Sequence, residues 1–408
     1  MRKDKNSIKY LELTAKHFSS ELRTIFSDFG AILILVGAVF IYPIVYSIGY
    51  YNETLIEIPM AVIDQDHSEM SRKYIQMLDA SHELNILKSC HSLNEAENLL
   101  LDNKISGAVL IPVDFQKHIL SGEQANVALY ADASYFLKYR NEFLSTSTVN
   151  AYFNANISVV KYLYEGKSFA EARAAIDPVS AQVHVLYNPS SGYGSFIMPS
   201  MILIIIQQTL LIGIGLIGGS FSESKKTPFV LKDKKRIHEV IPLITGKTGA
   251  YLLISLINIV FAVFMVHHWF NYPDKFDVLR ILMLLLPYLL GTIFLGIGLS
   301  SMFKHRESAI VFMVFLSPVA LFVSGLSWPA SAIPEWINLA AKILPSTTMI
   351  PAYLRLRIMG AGIGDISHEL VFLYVQALIY FIFTALYFIF RIKTGKMGLH
   401  SQAGTRND

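Results

Sequence analysis

Four short stretches of the chain hold residue types that could do chemistry. ITGKT (244–248) ends in the Gly-Lys-Thr of a phosphate-binding loop, in which backbone amides cradle phosphate and the lysine neutralises it. That loop needs a glycine five positions ahead of Gly246 and a strand before it; Ile241 stands at that position and no strand is predicted there. HEVIP (238–242) and HELVF (368–372) open like a zinc-protease helix but lack its second histidine. His267-His268 closes an apolar run, where a polar cap at a membrane interface is a simpler reading than a metal site. No Ser-His-Asp or Cys-His set can be assembled, and no G-x-G-x-x-G follows a strand. The sequence predicts no catalytic residue, no metal ligand and no nucleotide site.

The polar pair most out of place is Gln207-Gln208, set inside an uncharged run at about 195–220. An amide in lipid either bonds across helices or faces a translocation path, and both roles stay open here. Gly213, with Gly215, Gly218 and Gly219 on the same run, permits close approach of another helix, including one across a dimer interface.

The elements that hold these residues follow from composition. The chain has 408 residues, 53% of them hydrophobic and 16% charged, with a mean hydropathy of +0.44; that is the make-up of a membrane protein. The net charge of +3 is not pooled into a basic arm, which excludes nucleic acid as a partner. Cys90 is the only cysteine, so no disulfide forms within the chain, and it reads as a small buried hydrophobe.

Six uncharged runs, at 30–49, about 195–220, 249–266, 281–302, 309–327 and 370–390, are each near the length that crosses a bilayer. The first is too long for a signal peptide and no A-x-A site follows it. From about residue 50 the composition turns to that of a soluble domain. Strands are predicted at 56–64, 84–89, 106–112, 126–132 and 182–188, with a long helix from 136 to about 164. Ser92 with Glu95, and Ser168 with Glu171, fit capping boxes. Strands alternating with helices indicate a small α/β domain.

Ahead of the first run, Ile8, Leu11, Ala15, Phe18, Leu22, Ile25 and Phe29 recur at steps of three and four. With Lys5, Lys9, Lys16 and Arg23 among them, the stretch suits a helix lying on an anionic membrane surface; an ordinary packed helix is the alternative. Basic residues orient the spans. The N-terminal stretch, the loop after the second span (Lys225, Lys226, Lys232, Lys234, Lys235, Arg236, Lys247), Lys304 with Arg306, and the C-terminal tail share one side. The other side has few: Lys275, Arg280, Lys342, Arg355 and Arg357. Both termini are therefore expected in the cytoplasm and the α/β domain outside.

Residues 324–356 are neither a clean span nor a polar loop, because Pro329, Pro334, Pro345 and Pro351 interrupt them. Trp328 and Trp336 suit the bilayer interface. A broken helix dipping into the outer leaflet and a simple interfacial loop helix are both open readings.

Four segments, in order, give the chain a family likeness: AVIDQDHSEMSRKYIQMLDAS (61–81), LDNKISGAVLIPVDFQKHILSGE (101–123), YNPSSGYGSFIMPSM (187–201) and SGLSWPASAIPEWINLAAKILPSTTMI (324–350). Together they resemble the ABC-2-type permease family, in its bacterial branch with a large extracytoplasmic insert between the first two spans. The resemblance implies a mainly α membrane protein of the bacterial plasma (inner) membrane, with six transmembrane helices and an inserted extracytoplasmic α/β domain. It divides the chain into an amphipathic interfacial helix at 1–28, a first span at 29–49, the α/β domain at 50–190, a five-helix region at 191–391 and a tail at 392–408. Within the five-helix region it expects a cytoplasmic coupling loop at 222–248 and a re-entrant segment at 328–358.

The resemblance also implies partners: a cytoplasmic ATPase subunit, a second permease copy or paralogue, and in many members a periplasmic adaptor and an outer-membrane channel. No cofactor is expected in this chain, since ATP and magnesium belong to the ATPase. SFSESKKTPFVL (220–231) is similar to the family's coupling segment, which assigns ATPase contact to Glu223, Lys225, Lys226, Thr227 and Phe229. Lys226 stands where the family commonly has glycine. Gln207, Gln208, Gly213, Trp328 and Pro329 are the candidates for a translocation path or a dimer interface.

Two functions compete. One is the permease subunit of an exporter for a drug, lipid or envelope component. The other is a relay whose outer domain binds an envelope partner while no substrate passes the spans. An intramembrane enzyme or proton antiporter is disfavoured, because the span centres lack Asp, Glu, Lys and Arg.

Overall fold

The computed structural model describes residues 2–179, 181–223, 234–275, 277–303 and 305–393. The chain forms two compact units: Met1–Glu53 with Leu186–Asp408, and Thr54–Val185.

Helix α1 (Arg2–Ser27) is followed by the first span, α2 (Phe29–Gly49). Asp28 caps α2 by accepting the Ala31 amide at 3.0 Å. Within α2 the turn Leu33–Gly37 widens to a π-helix. A π-turn leaves a carbonyl without its helical partner. Here the Leu35 carbonyl accepts Asn258 Nδ2 at 2.7 Å.

The inserted unit runs β1 (Ile58–Asp64), α3 (Glu69–Asp79), β2 (Leu84–Ser89), α4 (Leu93–Leu101), β3 (Gly107–Ile111), α5 (Phe115–Ser121), β4 (Ala128–Ala131), α6 (Phe136–Tyr164) and α7 (Phe169–Ile176). Its sheet has the order β2-β1-β3-β4, parallel except for β4. The central strands are covered on both faces, hence their continuous apolar runs. Met60, Val62, Val109 and Ile111 pack with Tyr74, Leu78, Phe115 and Phe153. Ala61, Ile63 and Ala108 face Cys90 and Ala96 of the other layer. The Ser168–Glu171 capping box is complete. At Ser92 only half forms: its hydroxyl accepts the Glu95 amide, while the Glu95 carboxylate takes the His91 amide.

One expected strand is missing. Residues 182–188 (QVHVLYN) are not in the sheet; 182–187 are exposed, and Asn188 instead closes a turn by donating Nδ2 to the Gly192 carbonyl at 2.9 Å. Their β-forming side chains satisfy the pattern, but an isolated strand gains nothing without an edge to pair with.

The other unit continues with α8 (Tyr193–Glu223), α9 (Val240–Asn258, extended by a π-turn Ile259–Met265 to Trp269), α10 (Val278–Ser300), α11 (Arg306–Val323), α12 (Glu335–Ala341), α13 (Pro345–Leu354, extended by a π-turn to Met359) and α14 (Ser367–Lys393). Among the described residues six helices are long and apolar enough to cross a membrane: α2, α8, α9, α10, α11 and α14. Helix α8 is the hub, with 83% of its apolar length buried against 17% for α11. It packs on α2, α10, α11 and α13. Within the expected coupling segment 222–248, helix begins at Val240 and takes in ITGKT. The sequence reading started the third span at 249 because Lys247 breaks the uncharged run; in the fold that lysine is paired rather than solvated.

Candidate functional site

Polar side chains tie the apolar helices together at three levels. At the level of α1, Gly246 and Gly249 form a smooth strip on α9. A Cβ on Gly246 would stand 2.7 Å from the Thr14 carbonyl and 3.0 Å from the Phe18 amide nitrogen, so only glycine lets the α1 backbone approach this closely. Beside the strip, Lys247 Nζ meets Glu21 Oε2 at 2.6 Å, and one turn on Tyr251 donates to Glu21 Oε1 at 2.8 Å. Glu21 and Lys247 are both largely buried. Burial first, then the Lys247 cation, lower the His17 pKa from its ordinary value. The GKT that resembled a phosphate loop is thus a helix-docking surface. Next to it, Arg306 at the start of α11 forks onto the Asp28 carboxylate at 2.9 and 3.1 Å.

Helix α1 uses this face and leaves another open. His17, Glu21 and Ile25 are buried, whereas Ile8, Leu11 and Phe26 are exposed. The apolar stripe read from sequence is therefore split: Phe18, Leu22 and Ile25 turn inward, and its first members do not.

The second level brackets the break between α12 and α13. A helix end in lipid leaves amides and carbonyls that need partners. Gln207 Oε1 accepts the Ser346 amide at 2.8 Å and its Nε2 donates to Ser346 Oγ at 3.0 Å, which caps the start of α13. Gln376 of α14 donates to the carbonyls of Lys342 and Ile343 at 2.8 and 3.2 Å, and Tyr380 donates to the Ile343 carbonyl. Gln207 lies about 21 Å along α8 from Tyr193 at the helical rise. The break therefore packs against the middle of α8 rather than against either of its ends. Gln207→Leu is expected to cost about 1–3 kcal/mol through the orphaned Ser346 amide and to loosen α13, read as faster amide exchange over 345–350.

The third level lies at the opposite end of α9. Arg357 is 1% exposed. It grips Asp274 with Nε and Nη2 at 3.0 and 2.8 Å, and Nη1 donates to the Val263 carbonyl at 2.6 Å and the Tyr353 hydroxyl at 2.5 Å. Val263 sits in the π-turn Ile259–Met265, so again a widened turn presents a carbonyl to a polar side chain. Nearby, Glu53 at φ +56° accepts the Ser195 amide at 2.9 Å and hydroxyl at 2.7 Å, and its own carbonyl takes the Tyr193 amide. The end of the first span is thereby stapled to the start of α8.

The residues singled out from sequence fall in different places. Gln207 is a cap. Gln208 is 5% exposed, and neither amide atom has a hydrogen-bond partner among the described residues. Gly213 faces Leu35 of α2 within the same chain, where a Cβ would lie 2.4 Å from Leu35. Trp328 and Pro329 are exposed after the Gly325 turn. The side chain of Glu223, and Lys225, Lys226, Thr227 and Phe229, lie outside the described residues. Sequence reasoning missed Glu21, Asp274 and Arg357. The signal available was a charge on an otherwise apolar or re-entrant stretch, which in lipid needs a partner.

Among the described residues no group of His, Cys, Asp and Glu could hold a metal ion. No curated protein matches the chain. Residues 29–386 match the family described as ABC-2 family transporter protein, a region that takes in the first five spans, most of the sixth, the insert and the bracketed break. On that match, this multi-pass membrane protein belongs to the ABC-2 family of transporter proteins.

Proposed function

We propose that the chain is the membrane subunit of an exporter powered by a separate cytoplasmic ATPase, moving a hydrophobic or amphiphilic substrate outward. Family membership implies the ATPase partner. The observation that carries the mechanism is the pairing of α1 with the start of α9 through Gly246, Lys247 and Glu21. In the sequence the Lys-rich stretch 225–236 runs just ahead of α9, and this concentration of positive charge supports a cytoplasmic position for the start of α9. ATP-driven closure of the partner would push on Glu223, Lys225, Lys226, Thr227 and Phe229 and on α1. Helix α9 carries that motion as a rod, since Lys247 ties one end to α1 and the Val263 carbonyl ties the other to Arg357. The bracketed break at 342–346 is the element that yields, because amide brackets break more readily than a buried ion pair. Two copies or paralogues would enclose the path, with Gln208, Trp328 and Pro329 near it.

The test is co-purification with the partner ATPase and measurement of hydrolysis in lipid. Reversing the charges of Glu223, Lys225 and Lys226 together is expected to bring hydrolysis down to the rate of the ATPase alone. Unchanged stimulation would remove this stretch from the contact.

A further inference from the structure

In the inserted unit one carboxylate stands without support. Glu142 of α6 is 0% exposed, and neither of its oxygens has a hydrogen-bond partner among the described residues. It lies over the sheet where β3 has Gly107: a Cβ there would be 2.9 Å from Glu142 Oε2, 2.9 Å from the Tyr130 carbonyl and 3.1 Å from Met60 Cε. Glycine at 107 is what gives the acid its room. The charged groups that act on it are Lys138, one turn earlier on α6, and Asp132 just beyond β4; Glu83, ahead of β2, is taken by Ser145 at 3.0 Å. From α3 the titratable group facing α6 is Tyr74, bonded to Asn150. A carboxylate anion in so apolar a place, with no donor, is strongly disfavoured.

We propose that the insert is gated by a proton: with Glu142 neutral, α6 seats on the sheet, and ionisation of Glu142 releases α6. The neutral acid keeps a hydroxyl donor and loses the charge, so it tolerates the site that the anion does not. Burial pushes this carboxyl up to about 7, against the opposing pull of Lys138. Because the folded value is raised, the stabilisation is whole at acid pH and is lost as pH rises through about 7. The surroundings of α6 thus make the insert firm in acid and loose above neutrality. The inference does not depend on the exporter reading.

Hydrogen exchange of the full chain in lipid nanodiscs, without nucleotide and corrected for the intrinsic pH dependence, tests it. Protection over 136–150 and 107–111 is expected to fall about a hundredfold between pH 5 and pH 8, as a carboxyl raised from its ordinary range to about 7 implies. Glu142→Gln is expected to keep its acid-pH protection at both pH values. Two milder changes move the midpoint in opposite directions: Lys138→Met raises it and Asp132→Asn lowers it. Protection that is the same at both pH values in the native chain would overturn the proposal. So would a midpoint that neither milder variant moves.

Discussion

Arg357→Ala is expected to destabilise the membrane unit by about 3–5 kcal/mol, the usual cost of leaving one half of a buried ion pair alone. The change strips Asp274 of both its guanidinium contacts and orphans the Val263 carbonyl and the Tyr353 hydroxyl. Arg357→Lys is expected to recover only part of the loss, because an ammonium cannot fork onto the carboxylate and reach Val263 together. Asp274→Asn keeps an oxygen acceptor yet leaves the buried cation unneutralised, so it is expected to fall between the native chain and Arg357→Ala. Thermal unfolding in lipid, compared across the three variants, gives the order. Equal stability of Arg357→Ala and the native chain would mean that the third level of bracing contributes nothing.

Gly246→Val is expected to cost about 3 kcal/mol or more. Overpacking alone accounts for about 1–3 kcal/mol. The obstructing atoms are backbone, the Thr14 carbonyl and the Phe18 nitrogen, which cannot swing aside as a side chain can. Helix α1 must therefore move off α9 as a whole, which also stretches the contacts of Glu21 with Lys247 and Tyr251. A control separates this from generic intolerance: nothing lies within 4 Å of a Cβ on Gly49, so Gly49→Ala is expected to change stability by no more than about 0.5 kcal/mol. Proteolysis of α1 in the folded protein reads the displacement. Equal resistance of Gly246→Val and Gly49→Ala would contradict the docking role.

Much of this fold was legible in the sequence because its signals are local. Uncharged runs near bilayer length marked all six spans, and strand-helix alternation marked the insert down to β2, whose bounds agree with the reading. Helix α6 was likewise legible over its whole length. Pairing was not legible, because it joins distant residues. Arg357 was counted among the solvated charges of one side, yet its partner is Asp274, on the other side of two spans in the chain. Lys247 reads as a loop residue in the sequence, since a lysine inside an apolar helix is costly unless neutralised and Glu21 sits more than two hundred residues away in α1. The same limit explains 182–188, where β propensity is real but a pairing edge is not supplied. Gln207 was legible as a buried amide needing a partner; that the partner is the first amide of α13 was not.

On the proposed function, motion entering at α1 and α9 reaches the break between α12 and α13. Cys90 is buried, so a cysteine at half-buried Thr347, beside that break, can be labelled against a low background. In the chain reconstituted with its ATPase, labelling of Thr347→Cys is expected to rise severalfold when ATP is bound to a hydrolysis-deficient partner. Adding Glu21→Ala, which cuts α1 from Lys247, is expected to abolish the rise while the basal rate stays. A labelling rate that ignores nucleotide, or a rise that survives Glu21→Ala, would contradict the account.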